Sequence, residues 1–167
     1  MAGQRVIIST EWPNVTLEQY TLADAPTIFD LIDASRPHLS QFGDETAAKY
    51  PTLDSVAESI RINDPSVRLR LGIWDRQRLV GGINLTKFET GLMAELGYWL
   101  GAAQTGKGYA TVAARSLVAH GLHTIGYRLI IAKVTIGNEA SVDVLTRVGF
   151  CEMRPTPNGG QRWFCID

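Results

Sequence analysis

The sequence contains few cysteines and no long apolar stretch. Cys151 and Cys165 are the only two cysteines among its 167 residues. Two cysteines are too few for a disulfide framework, which predicts a protein of a reducing compartment, the cytoplasm. The first ten residues carry one arginine and a short apolar triplet at residues 6–8, far less than a signal peptide needs. Because no stretch reaches the length of a transmembrane helix, we expect no membrane span.

The sequence also lacks an excess of either charge. It has 16 Lys and Arg against 17 Asp and Glu, which gives a net charge of -1 and a pI of about 6.3. This balance creates no overall field that would attract nucleic acid, so we expect no nucleic-acid partner. Histidine is scarce as well. His120 and His123 lie three residues apart, but no third ligand follows at a useful spacing, so we expect no metal.

The composition is otherwise that of an ordinary globular domain. Hydrophobic residues make up 45% of the chain and charged residues 20%. A length of 167 residues suits a single domain with a sizeable core. We therefore expect one domain over residues 1–167, in which residues 1–14 form an N-terminal extension or an edge segment.

Alternating and helical patterns predict a mixed α/β order of elements. Residues 15–20 alternate as in a strand, Thr21 begins a helix that Pro37 ends, and Thr52 begins a second helix. Residues 38–50 show little periodicity and are expected to form a loop or an irregular helix. The later elements are a strand meander over residues 68–100, a helix that ends at Gly126, a strand over residues 129–136, a short helix between Asn138 and Gly149, and two last strands around a Pro/Asn/Gly turn. The predicted order is β-α-α-β-β-β-α-β-α-β-β.

The most informative segment is a glycine-spaced loop at residues 100–111, between a predicted strand and the clearest predicted helix. It reads Leu-Gly-Ala-Ala-Gln-Thr-Gly-Lys-Gly-Tyr-Ala-Thr. Gly106 and Gly108 have no Cβ, so the backbone there can approach a ligand or adopt a positive φ. Backbone N–H groups at a helix N-terminus bind phosphate, because the helix dipole favours negative charge there. The loop therefore predicts a phosphorylated cofactor.

A nucleoside triphosphate is the first cofactor to consider. Residues 101–107 match the first seven positions of a Walker A loop, Gly-x4-Gly-Lys. The next position requires Ser or Thr, whose hydroxyl holds magnesium, and here it is Gly108. The strand at residues 129–136 also runs into a Gly-Asn pair instead of a Walker B aspartate. A dinucleotide fingerprint fits less well, since no third glycine follows at Thr111.

The same loop instead resembles the acetyl-CoA signature of the GNAT N-acetyltransferases, Arg/Gln-x-x-Gly-x-Gly/Ala. Thr105 stands at the Arg/Gln position, next to Gln104. Gly108 and Ala110 stand at the two small positions. The departure at Thr105 is the one mismatch in this signature.

Two longer matches resemble the RimJ/RimL branch of that family. The first combines residues 94–100, Ala-Glu-Leu-Gly-Tyr-Trp-Leu, with residues 106–111, Gly-Lys-Gly-Tyr-Ala-Thr. The second is Asn138-x-x-Ser141, with Gly-Phe at residues 149–150 closing the short helix. Both occur in the order and at the spacing of that branch, and the resemblance covers most of the chain from about residue 15.

The resemblance implies an α/β fold, a single GNAT domain with a mixed, mostly antiparallel six- to seven-stranded sheet and about four helices. It also implies that acetyl-CoA is the cosubstrate, with its pantetheine arm along the third meander strand and its pyrophosphate on the loop. The cofactor-binding residues are then Trp99, Leu100, Gly101, Thr105, Gly106, Lys107, Gly108, Tyr109, Ala110, Thr111, Asn138 and Ser141. Two of them have an alternative role: Lys107 as a solvated loop lysine, and Tyr109 as an anchor of the helix in the core.

The implied chemistry is attack of a neutral amine on the thioester carbonyl of acetyl-CoA. A backbone N–H within residues 99–101 would polarise that carbonyl. Glu95 is the predicted base, because burial in its otherwise apolar strand would raise its pKa toward neutrality; the alternative is a glutamate that faces solvent. The resemblance implies that Asn138 contacts the pantetheine and that the Ser141 hydroxyl hydrogen-bonds the leaving sulfur. The tyrosine acid of many relatives is replaced here by Leu145.

The sequence leaves the acceptor amine open. A protein N-terminus follows from the RimJ/RimL resemblance, and a small amine such as a polyamine or an aminoglycoside is the main rival. Residues 29–42 and 155–162 are expected to form the acceptor site. From a different class, the chain would be a non-catalytic acyl-CoA-binding regulatory module. The resemblance is also compatible with a homodimer.

Overall fold

An eight-stranded sheet forms the centre of the protein. The structure is a computed structural model that describes residues 4–153 and 159–167. The strands are β1 Ile7–Ser9, β2 Val15–Gln19, β3 Arg68–Asp75, β4 Arg78–Lys87, β5 Met93–Leu100, β6 Leu129–Thr135, β7 Cys151–Glu152 and β8 Gln161–Ile166. Their order across the sheet is β1-β2-β3-β4-β5-β6-β8-β7. Neighbouring strands are antiparallel except β5 and β6, which are parallel.

Six α-helices accompany the sheet in the described part of the chain. They are α1 Ala25–Asp33, α2 Arg36–Leu39, α3 Thr46–Lys49, α4 Leu53–Arg61, α5 Tyr109–His120 and α6 Glu139–Val148. Short 3-10 turns at Leu22–Asp24 and Ala102–Gln104 precede α1 and α5. A π-helical turn, Gly121–Ile125, extends α5. The longer helices therefore follow the order that the sequence predicts. Of the two short helices, α2 overlaps the start of segment 38–50 and α3 lies within it, where a loop or an irregular helix is expected.

Local side-chain caps position two of these helices. The Thr52 hydroxyl accepts a hydrogen bond from the Ser55 N–H at 3.1 Å, and the Ser55 hydroxyl accepts one from the Thr52 N–H at 3.1 Å. At the start of α6, Oδ1 of Asn138 accepts a hydrogen bond from the Ser141 N–H at 3.3 Å. Such caps satisfy N–H groups that have no partner within the helix. The cap on α6 also fixes where Ser141 lies.

Helices bury apolar residues on both faces of the sheet. On one face α5 and α6 contribute Leu117 and Leu145, both fully buried, to the larger core cluster. On the other face α1 and α4 contribute Ile32 and Val56 to a smaller cluster. The smaller cluster includes no residue of β6 or β8, so part of the second face stays open.

The alternation along β3 decides what this open face carries. Leu69 and Leu71 belong to the larger core cluster under α5. Successive side chains of a strand point to opposite faces, so Arg68 and Arg70 lie together on the other face. Both are partly exposed. The strand therefore presents two arginines on the face that α1 and α4 cover only in part.

A split between β5 and β6 interrupts the sheet. The two strands pair from Met93 and Leu129 as far as Leu96 and Ala132. Beyond that point β5 continues to Leu100 and pairs only with β4, while β6 continues alongside β8. The split opens a gap at the carboxyl ends of two neighbouring parallel strands, where α/β proteins commonly bind ligands.

The expected fold class is confirmed, and the sheet has one strand more than the resemblance implied. The additional strand, β1, pairs with β2 at the edge of the sheet and lies within residues 1–14. The predicted Pro/Asn/Gly turn falls largely on residues 154–158, which lie outside the described residues. No helix within residues 4–153 or 159–167 is long and apolar enough to cross a membrane.

Candidate active site

The loop between β5 and α5 has the backbone geometry that its glycines predict. Gly106 has a φ of +72° and Gly108 a φ of +91°, both in the left-handed region. A side chain at position 108 would be strained, and its Cβ would lie 2.9 Å from Cη2 of Trp12. Gly108 is also the N-cap of α5 and makes no side-chain cap. The first N–H groups of α5 are therefore available to an anion at the positive end of the helix dipole.

Contacts with β4 and with residues in and just after α1 hold the first half of the loop in place. The buried Ser35 hydroxyl accepts a hydrogen bond from the Ala102 N–H at 3.0 Å. Gly101 lies against α1, since a Cβ on it would be 2.5 Å from Cδ1 of Leu31. The Gly101 N–H donates to the Val80 carbonyl at 2.9 Å. The loop is thus anchored at its start, and its second half is left to bind a ligand.

A groove of about 570 Å³ runs from the end of β5 past this loop to α6. The predicted cofactor-binding residues that line it are Trp99, Leu100, Thr105, Gly106, Gly108, Ala110, Thr111, Asn138 and Ser141. Phe42, from the segment expected to form the acceptor site, lines it as well, and so does Arg147, which no sequence pattern indicated. The groove therefore brings the glycine loop together with the Asn138-x-x-Ser141 motif.

Three residues of the predicted cofactor set lie outside the lining of the groove. Gly101 is buried behind it. Nζ of Lys107 lies 3.4 Å from Oε1 of Gln104, on the loop itself. The Tyr109 hydroxyl donates a hydrogen bond to the Asp75 carboxylate, and that bond raises the pKa of Tyr109. Tyr109 is 7% exposed, so it anchors α5 in the core, as the alternative expectation had it.

The split between β5 and β6 also decides which backbone N–H can meet a ligand. The Gly101 N–H is already bonded to β4. Because N–H directions alternate along a strand, the N–H of Trp99 also faces β4, and the N–H of Leu100 faces the gap. Leu100 lines the groove. Among residues 99–101, Leu100 is therefore the one whose N–H points toward the groove.

A second cavity, of about 370 Å³, adjoins the groove. We call it the polar pocket; its charged lining residues are Asp44, Glu45, Lys49, Arg68, Arg70, Glu95 and Lys133. The groove and the polar pocket share Phe42, Asp44, Tyr98, Trp99, Asn138 and Ser141. The two cavities therefore meet at the end of β5 and the start of α6.

Hydrogen bonds order the side chains at this junction. The Tyr98 hydroxyl donates to the Ser141 carbonyl at 3.4 Å, and Asn138 accepts from the Ser141 N–H. Burial raises the pKa of Tyr98 to about 12, so its hydroxyl remains protonated at neutral pH. Leu145 is fully buried and supplies no proton. Ser141 is thus the hydroxyl on α6 that lines both cavities.

Glu95 faces the polar pocket as half of an ion pair. Its Oε2 lies 3.0 Å from Nζ of Lys133, and its side chain is 34% exposed. Nζ of Lys133 also lies 4.6 Å from the centre of the Trp163 ring. The expectation that Glu95 is buried is wrong. Glu95 lies on the face of β5 that is turned away from α5, and there this face forms the wall of a pocket and not a core. The alternative of a freely solvated side chain is equally inaccurate, since the carboxylate is held by Lys133.

The fold and the groove can be set beside known proteins. The acetyltransferase (GNAT) domain family matches residues 14–151, which is most of the chain. The chain belongs to the GNAT acetyltransferase family. It is therefore an N-acetyltransferase, and its cosubstrate is acetyl-CoA.

Solved structures share this fold at low sequence identity. RimL, a ribosomal L7/L12 α-N-protein acetyltransferase in complex with coenzyme A, has a TM-score of 0.86 and 17% identity over 96% of this chain and 97% of RimL. MccE, a microcin C7 self-immunity acetyltransferase in complex with acetyl-CoA and AMP, has a TM-score of 0.75 and 22% identity over 92% of each chain.

A relative found by sequence matches part of the chain. YdaF of Bacillus subtilis (strain 168), provisionally named a ribosomal N-acetyltransferase, is 36% identical over 59 residues. That match spans 35% of this chain and only 32% of YdaF.

The residues of the groove fit acetyl-CoA. The positive φ values at Gly106 and Gly108 open the loop toward the N-terminus of α5, which suits a diphosphate. The free backbone edge of β5 at Leu100 suits the amide groups of a pantetheine arm. No three His, Cys, Asp or Glu residues are grouped as metal ligands within residues 4–153 and 159–167. The backbone donors of the loop and of β5 are those that suit a backbone-bound organic phosphate.

Sequence reasoning missed the residues on the β3 side of the polar pocket. Arg68, Arg70 and Tyr20 all line it, and none lies in the segments expected to form the acceptor site. The Arg-Leu-Arg-Leu alternation shows that the two arginines share a face. It does not show that this face is open, because that depends on where α1 and α4 pack. The expected acceptor segment 155–162 lies partly outside the described residues.

Proposed function

We propose that this acetyltransferase transfers the acetyl group directly, within a ternary complex, to the α-amine of a protein N-terminus. The observation that carries the proposal is that the groove and the polar pocket meet at Asn138 and Ser141. An amine in the polar pocket would lie beside an acyl group in the groove. Holding two reactants side by side in this way contributes much of the rate of a bimolecular reaction.

The N–H of Leu100 would donate a hydrogen bond to the thioester carbonyl. As the amine attacks, negative charge develops on that oxygen, and a fixed backbone donor stabilises it without reorganisation. The Gly101 N–H is engaged with Val80 and holds the end of β5 in place. Gly101 thus supports the donor without contacting the acetyl group.

Glu95 would take the proton of the amine, directly or through a water molecule. Its carboxylate faces the polar pocket and is oriented by Lys133 at 3.0 Å. An α-amine, with a pKa of about 7.7–8.0, is partly neutral at physiological pH, whereas a lysine amine has a pKa of about 10.4. An α-amine therefore needs less help from a base than a lysine amine does.

Ser141 would donate a hydrogen bond to the sulfur as the thiolate of CoA leaves. Ser141 lies at the start of α6 and lines both cavities, so it would be close to an acyl group in the groove and an amine in the polar pocket. The helix dipole at the same N-terminus favours the negative charge that develops on the sulfur. Asn138, which fixes the first turn of α6, would contact the pantetheine.

The relatives favour a protein acceptor, and one observation supports a small-molecule acceptor as a second candidate. RimL acts on ribosomal L7/L12, and the YdaF name refers to the ribosome. The MccE structure, in contrast, contains AMP together with acetyl-CoA. A polar pocket of about 370 Å³ would accommodate a compact polar amine as well as the first residues of a peptide.

A thiol-release assay with acetyl-CoA tests the proposal. The acceptor panel contains N-terminal peptides, the same peptides with a blocked α-amine and an internal lysine, polyamines and aminoglycosides. We expect turnover with free α-amines and none with the blocked peptides. Turnover restricted to polyamines or aminoglycosides would replace the protein acceptor with a small molecule.

The same assay separates an enzyme from an acyl-CoA-binding regulatory module. Such a module would bind acetyl-CoA and acetylate no amine in the panel. The catalytic assignments would fail if Glu95→Gln and Ser141→Ala both left the turnover of the best acceptor unchanged.

A further inference from the structure

Two neighbouring arginines form one wall of the polar pocket. Arg68 and Arg70 alternate with core leucines on β3 and line the pocket together. Across the sheet Arg68 is opposite Thr86, which is opposite Glu95. Neighbouring strands lie about 4.8 Å apart, so the Cα atoms of Arg68 and Glu95 are about 10 Å apart. The arginines and the proposed base therefore face the same cavity from opposite sides.

Arg70 is held by surrounding groups. Its guanidinium lies 5.6 Å from the Tyr20 ring centre and 5.8 Å from the Tyr50 ring centre. Its Nη1 donates to the Ser59 carbonyl at 2.9 Å, and its Nη2 donates to the Tyr50 hydroxyl at 3.1 Å. These contacts fix the orientation of the planar group without neutralising its charge.

Arg68 is the less satisfied of the two. Its Nη2 donates to Oδ1 of Asn84 at 3.3 Å, but its Nε is buried and has no hydrogen-bond partner. Burial and the nearby charge of Arg70 lower the pKa of Arg68. A buried N–H without an acceptor costs free energy, and a shift of the side chain that brings this N–H to a ligand oxygen would recover that cost. Arg68 thus has unused donors beside a cavity.

The carboxylates of the pocket do not balance these arginines. Glu45 pairs with Lys49 at 3.0 Å, and Glu95 pairs with Lys133 at 3.0 Å. Neither arginine has a carboxylate within 4.0 Å among the described residues. Asp44, the remaining acidic residue of the lining, accepts a hydrogen bond from the Thr46 N–H. The β3 side of the pocket therefore carries an excess of positive charge.

A second unsatisfied donor lies in the same wall. Tyr20 lines the polar pocket, and its hydroxyl is buried without a hydrogen-bond partner. Burial raises the pKa of Tyr20, so the hydroxyl stays protonated and can donate. The wall thus combines two guanidinium groups with a neutral donor, a set that matches the oxygens of an anion.

We propose that the acceptor of this acetyltransferase carries an anionic group, a carboxylate or a phosphate, which Arg68 and Arg70 hold at the β3 side of the polar pocket. This inference rests on the proposed function, because it assumes that the polar pocket receives the acceptor. The amine would lie at the Glu95 side, so the anion would be separated from it by roughly the length of one to two residues. For a peptide this predicts an acidic side chain at the second or third position.

Matched pairs of acceptors test the proposal. Short peptides that begin with the same residue carry Asp or Asn at position 2, or Asp or Asn at position 3. Two further pairs separate small-molecule sources of the anion: γ-aminobutyrate against butylamine, and phosphoethanolamine against ethanolamine. We expect the anionic member of at least one pair to have a kcat/KM about 10-fold higher or more.

Variants at Arg68 link that preference to the arginine wall. In Arg68→Gln we expect the KM of the preferred anionic acceptor to rise about 10- to 100-fold, because charged hydrogen bonds are lost. The KM of acetyl-CoA should stay within about two-fold, which shows that the fold is retained. Arg68→Lys should recover part of the affinity, since it restores the charge without the planar fork. Arg61→Gln, on the exposed outer face of α4, is the matched control and should change neither constant.

Titration calorimetry of enzyme saturated with CoA gives a readout that does not need turnover. The Asp peptide should bind more tightly than the Asn peptide, and Arg68→Gln should abolish the difference. Equal binding of both peptides would overturn the inference even if amines are acetylated. Preferential binding of the anionic peptide without turnover of any amine would instead overturn the proposed function and leave the arginine wall as an anion site.

Discussion

The groove and the polar pocket are built from different parts of the polypeptide. The groove relies on backbone groups: the left-handed glycines at 106 and 108, the first N–H groups of α5 and the free edge of β5. The polar pocket relies on charged side chains from β3, β5, β6 and the α3 region. A backbone site binds a chemical group common to the whole family, whereas a side-chain site is free to vary with the acceptor. If the polar pocket receives the acceptor, as proposed, cofactor and acceptor are recognised by independent means.

If proton transfer belongs to the polar pocket alone, removing its base should affect turnover and not cofactor binding. In Glu95→Gln we expect kcat to fall by about 10²- to 10⁴-fold, the range for loss of a general base. The KM of acetyl-CoA should be unchanged, as measured by thiol release. Glu58→Gln, which removes an exposed carboxylate of α4 paired with Arg61, is the control. A kcat within two-fold of the parent enzyme would exclude Glu95 as the base.

If cofactor binding belongs to the backbone of the groove, a single methyl group at Gly108 should damage it. In Gly108→Ala the side chain is forced into a left-handed conformation at a φ of +91°, at a cost of about 1–2 kcal/mol. Its Cβ would also meet Trp12 at 2.9 Å. We expect the KM of acetyl-CoA to rise about 10-fold or more, because N–H groups at the start of α5 would shift.

The control for this strain lies in the turn before β5. Gly91 has a φ of +73°, and nothing lies within 4 Å of a Cβ added to it. Gly91→Ala should therefore lower the melting temperature through backbone strain, as Gly108→Ala does, and leave the KM of acetyl-CoA unchanged. If both variants change the KM equally, the effect of Gly108→Ala comes from lost stability and not from the groove.

The groove and the polar pocket also differ in how far they could be predicted from sequence. The glycine loop, the Asn138 cap and α6 follow from local signals, and the structure places them as expected. Arg68 and Arg70 carry an equally clear alternation, yet their role depends on which part of the sheet face the helices leave open. The incorrect prediction that Glu95 is buried has the same cause. Local spacing predicts elements and backbone sites, whereas the lining of a pocket depends on tertiary packing.

The Ser141→Ala variant tests whether the junction of the groove and the polar pocket takes part in the chemistry or only in packing. In Ser141→Ala we expect kcat to fall about 2- to 10-fold, because one hydrogen bond to the leaving sulfur is lost. The helix should remain intact, since the backbone N–H that Asn138 caps is retained. Ser116→Ala removes a hydroxyl that bonds to the Val112 carbonyl within α5 and serves as the control. A loss of acetyl-CoA affinity without a change in kcat would make Ser141 a binding residue.

Comparing Asn138→Ala with Thr52→Ala separates two roles of Asn138, as the cap of α6 and as a contact of the cofactor. In Asn138→Ala the loss of the cap should lower the free energy of unfolding by about 1 kcal/mol. Thr52→Ala removes a cap of the same kind from α4, away from the groove, and should have the same effect on stability. If Asn138 also contacts the pantetheine, only its variant should raise the KM of acetyl-CoA, by about 2- to 10-fold, the effect of one lost hydrogen bond. Equal KM values in the two variants would reduce Asn138 to a cap, and the groove would then depend on β5 and the glycine loop alone.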